Sequence, residues 1–134
     1  MPQLASGPFD VKLTPQGPDA PGEEVILGRL VIDKQFHGDL EAASKGQMLS
    51  AGTAVKGSAG YVALERVTGT LHGRSGSFYL QHSGTMERGN GRLSVTVVPD
   101  SGTDELTGLA GAMTIEAGGG KHSYTFSYTI APTG

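Results

Sequence analysis

The sequence predicts an all-β protein, a single antiparallel barrel of eight strands. Three observations carry this. The 134 residues include 22 glycines and seven prolines, a composition suited to many strands joined by tight turns. No segment repeats apolar residues at helical spacing over eleven positions, whereas several alternate with a period of two. The cleanest is 121–131, where His122, Tyr124, Phe126, Tyr128 and Ile130 share one face and Ser123, Thr125, Ser127 and Thr129 the other. About eight strands with no covering helix must hide their edges, and closure does so most simply. The length is that of one domain, 1–134.

Residues 9–13 alternate and form a first short strand. Pro15, Gly17, Pro18, Pro21 and Gly22 make 14–23 a loop. Residues 24–36 form a long strand ending at a Gly38-Asp39 turn, and 40–51 return from it. Residues 58–68 and 77–83 are strands, with Gly73-Arg74-Ser75-Gly76 as the turn between them. Residues 92–98 alternate polar and β-branched side chains. Residues 99–109 hold several turn formers and read as a loop or a single helical turn. Residues 111–117 and 121–131 are the last strands, joined by Gly118-Gly119-Gly120. The Ser-Gly-Thr tripeptides at 83 and 101 are turn chemistry rather than an internal repeat.

Composition removes several function classes. The net charge of −3 leaves no basic excess for phosphates, which argues against nucleic acid. The lack of cysteine excludes a disulfide scaffold, a thiolate metal site and a cysteine nucleophile, and suits the cytoplasm. The start, Met-Pro-Gln-Leu-Ala-Ser-Gly, lacks the basic and apolar stretches of a signal peptide. No apolar run approaches the roughly 20 residues of a spanning helix. The expectation is a cytoplasmic protein that binds neither nucleic acid nor membrane. Gly73 to Ser77 is not a nucleophile elbow, because its second glycine comes one place early. The three glycines at 118–120 lack the spacing of a phosphate loop. His37, Asp39 and Glu41 lie close in sequence, but a turn between them would separate their side chains, so neither a metal nor a cofactor is expected.

Several strings carry a family resemblance: Phe36-His37-Gly38-Asp39-Leu40, Tyr61 to Arg66 (YVALER), Gly69 to Phe78 (GTLHGRSGSF), Gln81-His82-Ser83-Gly84, Val98 to Leu106 (VPDSGTDEL) and His122 to Tyr128 (HSYTFSY). Together they resemble a family of small, mostly bacterial proteins of unassigned function, similar in fold to plant allene oxide cyclase. The resemblance spans about Leu27 to Ile130. It implies a calycin-like barrel with a central cavity, and it carries no catalytic residue across, since fold alone does not fix function.

Glu65 is the first candidate catalytic residue. Tyr61, Ala63, Glu65 and Val67 share one face of their strand, and Val62, Leu64, Arg66 and Thr68 the other. Both faces are half apolar, so two placements stay open. An inward Glu65 would be desolvated, its pKa raised and suited to proton transfer; an outward one would pair with Arg74 or another cation. His82 and His122 lie on the apolar faces of their strands and could serve as acid, base or orienting donor, or be satisfied by one backbone carbonyl. Tyr61, Phe78, Met113, Tyr124, Phe126 and Tyr128 could line an apolar pocket, with Arg74 holding an anionic group at its mouth; a packed core is the plainer reading of the same residues.

Two functions are consistent with these residues. One is an acid/base isomerase or cyclase acting on a small apolar molecule in the lumen, with Glu65, His82 and His122 as its catalytic groups. The alternative is a non-catalytic carrier barrel for a hydrophobic metabolite. A solid barrel acting through its outer face, as a homo-oligomer, is the structural counterpart.

Overall fold

Alternation along the chain becomes alternation between a dry interior and a wet exterior. The computed structural model describes residues 2–15, 27–118 and 120–131. Its strands are β1 (Gln3–Pro15), β2 (Leu27–Phe36), β3 (Leu40–Gly52), β4 (Ala59–Leu71), β5 (Arg74–Glu87), β6 (Asn90–Val97), β7 (Leu109–Gly118) and β8 (Lys121–Ile130). Each pairs antiparallel with its sequence neighbour, and β8 returns to β1, so the barrel is closed. A 3₁₀ turn at Asp104–Leu106 is the helix content among the described residues.

β4 shows how burial settles the face. Ala63, Glu65, Val67 and Leu71 are buried, whereas Val62 and Leu64 are 53% and 54% exposed. The alternation of β8 holds, with Tyr124, Phe126 and Tyr128 buried.

Several boundaries differ from the sequence expectation; β4 runs to Leu71, and β5 runs to Glu87, through the Ser83-Gly84-Thr85 tripeptide expected to be turn chemistry. β1 is no short strand over 9–13. It pairs with β8 from Gln3 to Phe9 and with β2 from Phe9 to Pro15, changing partner at Phe9. The ladders give strand geometry to Ser6, Gly7 and Pro8, whose side chains carry little strand signal. Thr14 and Pro15 belong to β1 rather than to the expected loop, of which 16–23 lie outside the described residues, as do 24–26 of the expected second strand. The β4–β5 turn is His72-Gly73, not 73–76. Both residues have positive φ, +47° and +79°, the two-residue turn whose twist matches that of the strands it joins. Arg74, Ser75 and Gly76 therefore already belong to β5.

The two ends differ. The closed end carries the β2–β3 and β4–β5 turns and the β6–β7 connection. Here the Tyr124 hydroxyl donates to the His37 carbonyl at 2.8 Å and accepts the Leu40 N–H at 2.9 Å. Phe78 stacks on Phe126 at 5.9 Å, and the edge of one ring of the Phe36–Tyr124 pair meets the face of the other at 5.4 Å. Leu106 on the 3₁₀ turn is buried against this core, while the Thr103 hydroxyl meets that of Ser77 at 2.8 Å. The open end carries the β3–β4 connection and the β5–β6 turn. β6 and β7 pair only at Val95↔Met113 and Thr96↔Ala112, so their halves nearest the open end are unpaired with each other.

Candidate functional site

Four polar side chains meet midway down the lumen, one from each of β2 to β5. Lys34 lies on the inward face of β2 between Ile32 and Phe36, and Ser44 is its register partner on β3. Glu65 on β4 faces Gly46 of β3. A Cβ at position 46 would lie 2.6 Å from the Glu65 Cα, so this glycine lets the two strands approach at the carboxylate. His82 on β5 sits diagonally from Glu65, opposite Ala63.

Glu65 is the centre of the cluster. Its Oε2 accepts from Lys34 Nζ at 2.8 Å and from His82 Nε2 at 2.7 Å, and its Oε1 accepts from Ser44 Oγ at 2.9 Å. Its side chain is fully buried, with those of His82 and Lys34 5% and 6% exposed. The Lys34 ammonium also lies over the rings of Phe9, at 5.2 Å, and Phe36, at 5.6 Å. These faces are where a cation's remaining N–H groups are best placed in an apolar surrounding.

The expected upward shift of the Glu65 pKa is corrected. Burial is the largest single influence and pushes it up. The His82 hydrogen bond and the charge of Lys34, reinforced by the charge of His82 and the Lys34 hydrogen bond, together outweigh burial and pull it below the usual carboxylate value. Glu65 is thus an anion at neutral pH. A carboxylate only accepts, so His82 must carry its proton on Nε2. His82 Nδ1 makes no bond to a described residue.

Beyond this cluster, toward the open end, lies a cavity of about 520 Å³. Met48, Ser50, Tyr61, Gly84, Met86 and Leu93 line it, and Thr85 and Arg92, cross-strand partners on the outward faces of β5 and β6, border it. A Cβ at position 84 would collide with the Tyr61 ring, so the missing side chain is what lets that ring lie across β5. Tyr61 sits one inward position nearer the mouth than Ala63, its ring 6.5 Å from that of His82. It lies between Ala59, which lines the cavity, and Ala63, the register partner of His82. Burial first, then the charge of Glu65, hold its hydroxyl above the ordinary tyrosine value, so it stays a neutral phenol.

The structure brings together two of the three expected catalytic residues, Glu65 and His82. His122 is apart from them: half-buried, it packs against Phe9 at 5.3 Å. Of the expected pocket residues, Tyr61 lines the cavity. Phe78, Met113, Tyr124, Phe126 and Tyr128 belong to the packed core instead. Arg74 starts β5 at the closed end, far from the cavity mouth. Successive hairpins alternate between barrel ends, so the cation near the cavity is on the next hairpin, at Arg92. Lys34 and Ser44 are not among the residues the sequence singles out. A signal for Lys34 exists: Leu30, Ile32, Lys34 and Phe36 share one face, and a lone cation among them has to find an anion. His37, Asp39 and Glu41 lie at the exposed β2–β3 turn, which does not separate His37 from Glu41 as expected but brings their side chains to 3.6 Å, because the turn folds the chain back on itself. No group of three or more potential metal ligands occurs among the described residues.

A closed eight-stranded antiparallel barrel with a buried Lys–Glu–His cluster under an open cavity is the class of protein these features define. The chain belongs to the DUF3224 family, described as proteins of unknown function, whose model matches residues 5–128. It is similar to the crystal structure of a DUF3224 protein of unknown function from Shewanella oneidensis MR-1, with 55% identity and a TM-score of 0.92 over 98% of this chain and 100% of the other. No curated protein matches it.

Proposed function

We propose that the barrel binds a small apolar molecule in its open-end cavity, with the Tyr61 ring as the floor. The observation that carries this reading is an apolar recess of about 520 Å³ in a barrel whose other end is packed solid. Small-molecule sites are concave, mostly apolar and furnished with few polar groups, over a range of roughly 300–1,000 Å³. The state of Glu65 supports binding over catalysis by that carboxylate, because an anion holding three donors is a weak base. The test is calorimetry with 2-naphthalenemethanol, on the wild type and on Ala59→Trp. Ala59 lines the cavity and is exposed, so an indole there fills the mouth without entering the core. Saturable one-to-one binding that the variant weakens at least tenfold is expected. No saturable binding, or equal binding by both, overturns the reading.

One observation favours a second reading, acid–base catalysis of an isomerisation or cyclisation. His82 gives Nε2–H to Glu65 and leaves Nδ1 without a partner among the described residues. A carboxylate that fixes an imidazole in this way prepares its other nitrogen as a base. His82 is then the proton acceptor, and Glu65, held by Lys34 and Ser44, positions it. Benzisoxazole tests this, since base removal of one ring proton opens it. A rate above buffer that His82→Gln abolishes supports the reading; a wild-type rate equal to buffer removes it.

A further inference from the structure

Strand alternation sorts the residues around the cavity by the way their side chains point. Thr85 and Arg92 are cross-strand partners that point outward, Arg92 beside Ser94 and Thr96 on the outer face of β6. The side chains that point inward are those of Met48, Ala59, Met86 and Leu93, all apolar, and those of Ser50 and Tyr61. The nearest inward charges, Lys34 and Glu65, are 2.8 Å apart and cancel within the pair. Among the described residues, the inner wall of the cavity therefore offers two uncharged hydroxyls and no free charge. Neither hydroxyl bonds another described residue. Ser50 and Tyr61 are register partners, yet they lean apart. A Cβ at position 28 of β2 would lie 3.0 Å from Ser50 Oγ, and one at position 84 of β5 would lie 2.2 Å from the Tyr61 ring.

We infer that the cavity selects an uncharged apolar molecule bearing a carbonyl group, its body against Met48, Met86 and Leu93 and its carbonyl oxygen accepting from the Tyr61 phenol. This deepens the binding reading above and rests on it. An ion of either sign would leave water for a wall that offers it no opposite charge, and an unpaired charge is the costliest group to desolvate. Tyr61 keeps its proton at neutral pH, and a carbonyl oxygen can only accept, so the two are complementary. A ligand hydroxyl would bring a donor needing an acceptor of its own; a carbonyl brings none. Of the two wall hydroxyls the phenol is the more acidic and so the stronger donor, while Ser50 lies on the far side, against β2. The thioether side chains of Met48 and Met86 are unbranched and adapt to the shape of the apolar body.

Four probes of similar shape separate charge, hydrogen bonding and apolar fit: 2-acetonaphthone, 2-ethylnaphthalene, 2-naphthoate and 2-naphthylmethylammonium. Equilibrium dialysis gives their affinities for the wild type, Tyr61→Phe and Ser50→Ala. The wild type should bind the ketone about tenfold or more tightly than either ion. Tyr61→Phe removes one net hydrogen bond and should weaken the ketone about two- to tenfold, with the hydrocarbon unchanged. Ser50→Ala should leave both unchanged. The Tyr61 hydroxyl holds no other described side chain, so the phenylalanine variant keeps the fold, which a thermal melt checks. A ketone that binds no better than the ions overturns the inference while the binding reading stands. So does a ketone that Tyr61→Phe leaves unchanged, or weakens only as much as the hydrocarbon, or that Ser50→Ala weakens instead. Binding of none of the four, in a chain that still folds, overturns both.

Discussion

Replacing Lys34 with Met removes the one lysine beside a fully buried carboxylate, and the geometry fixes the consequence. Met fills a similar volume against Phe9 and Phe36, so little packing is lost. The anion is left with His82 and Ser44 as its donors. Removing one partner of a buried ion pair costs about 3–5 kcal/mol. Two surviving donors place this case at the lower end, about 3 kcal/mol, or on the order of 10 °C in Tm for a chain of this length. Urea denaturation of the wild type, Lys34→Met, Glu65→Gln and the double variant measures the coupling. The double variant should cost less than the two single changes added together, by about 2 kcal/mol. Acid adds a second check. The folded pKa of Glu65 lies below its ordinary value of 4.5, so the folded chain binds fewer protons than the unfolded one. The stabilisation is complete above pH 4.5 and is lost as pH falls through the lower, folded value. Once protonated, Glu65 no longer needs a cation, so the gap between wild type and Lys34→Met should narrow on acidification. Additive single effects, or a gap that widens in acid, would refute the claim that Lys34 is there to hold a buried anion.

Other changes test the faces and the closed end. Leu80 is fully buried and Leu64, on the neighbouring strand, is 54% exposed; Leu80→Ala should cost about 2–5 kcal/mol and Leu64→Ala within about 0.5 kcal/mol, both by chemical denaturation. Tyr124→Phe deprives the Leu40 N–H and His37 carbonyl of their shared hydroxyl; a loss of about 1–3 kcal/mol is expected, with binding of 2-naphthalenemethanol unaltered because Tyr124 is remote from the cavity. Gly46→Ala puts a methyl 2.6 Å from the Glu65 Cα, against backbone that cannot rotate away; a thermal melt should show at least about 1–3 kcal/mol of destabilisation.

Much of the fold is legible in the sequence because strand periodicity reports directly on two-sided burial. The eight strands, the Gly38-Asp39 turn and the inward face of β8 all come from alternation and turn chemistry. Glu65 is harder, since residues 61–68 are half apolar on both faces. Register decides its direction: β3 places a glycine opposite it and β5 places His82 diagonally from it, and neither pairing is local in sequence. Lys34 escapes a reading that treats 24–36 as one long strand and does not divide it into faces. The cavity's position is not legible at all. It depends on which barrel end the aromatic side chains fill and on β6 and β7 pairing at only two positions, outcomes of packing that no local pattern encodes. That is why Arg74 and Arg92, both beside hairpin turns, are indistinguishable by sequence as candidates for the mouth.

The methionines offer the most direct test of the central claim, that the open end rather than the core is the binding site. Met48 and Met86 line the cavity, while Met113 is buried in the core. Methyl NMR of ¹³C-methyl-methionine protein titrated with 2-naphthalenemethanol should move the Met48 and Met86 signals along one saturable curve and leave Met113 nearly still. Saturable shifts at Met113 with Met48 and Met86 unmoved, or no saturable shift at any of the three, would contradict the account.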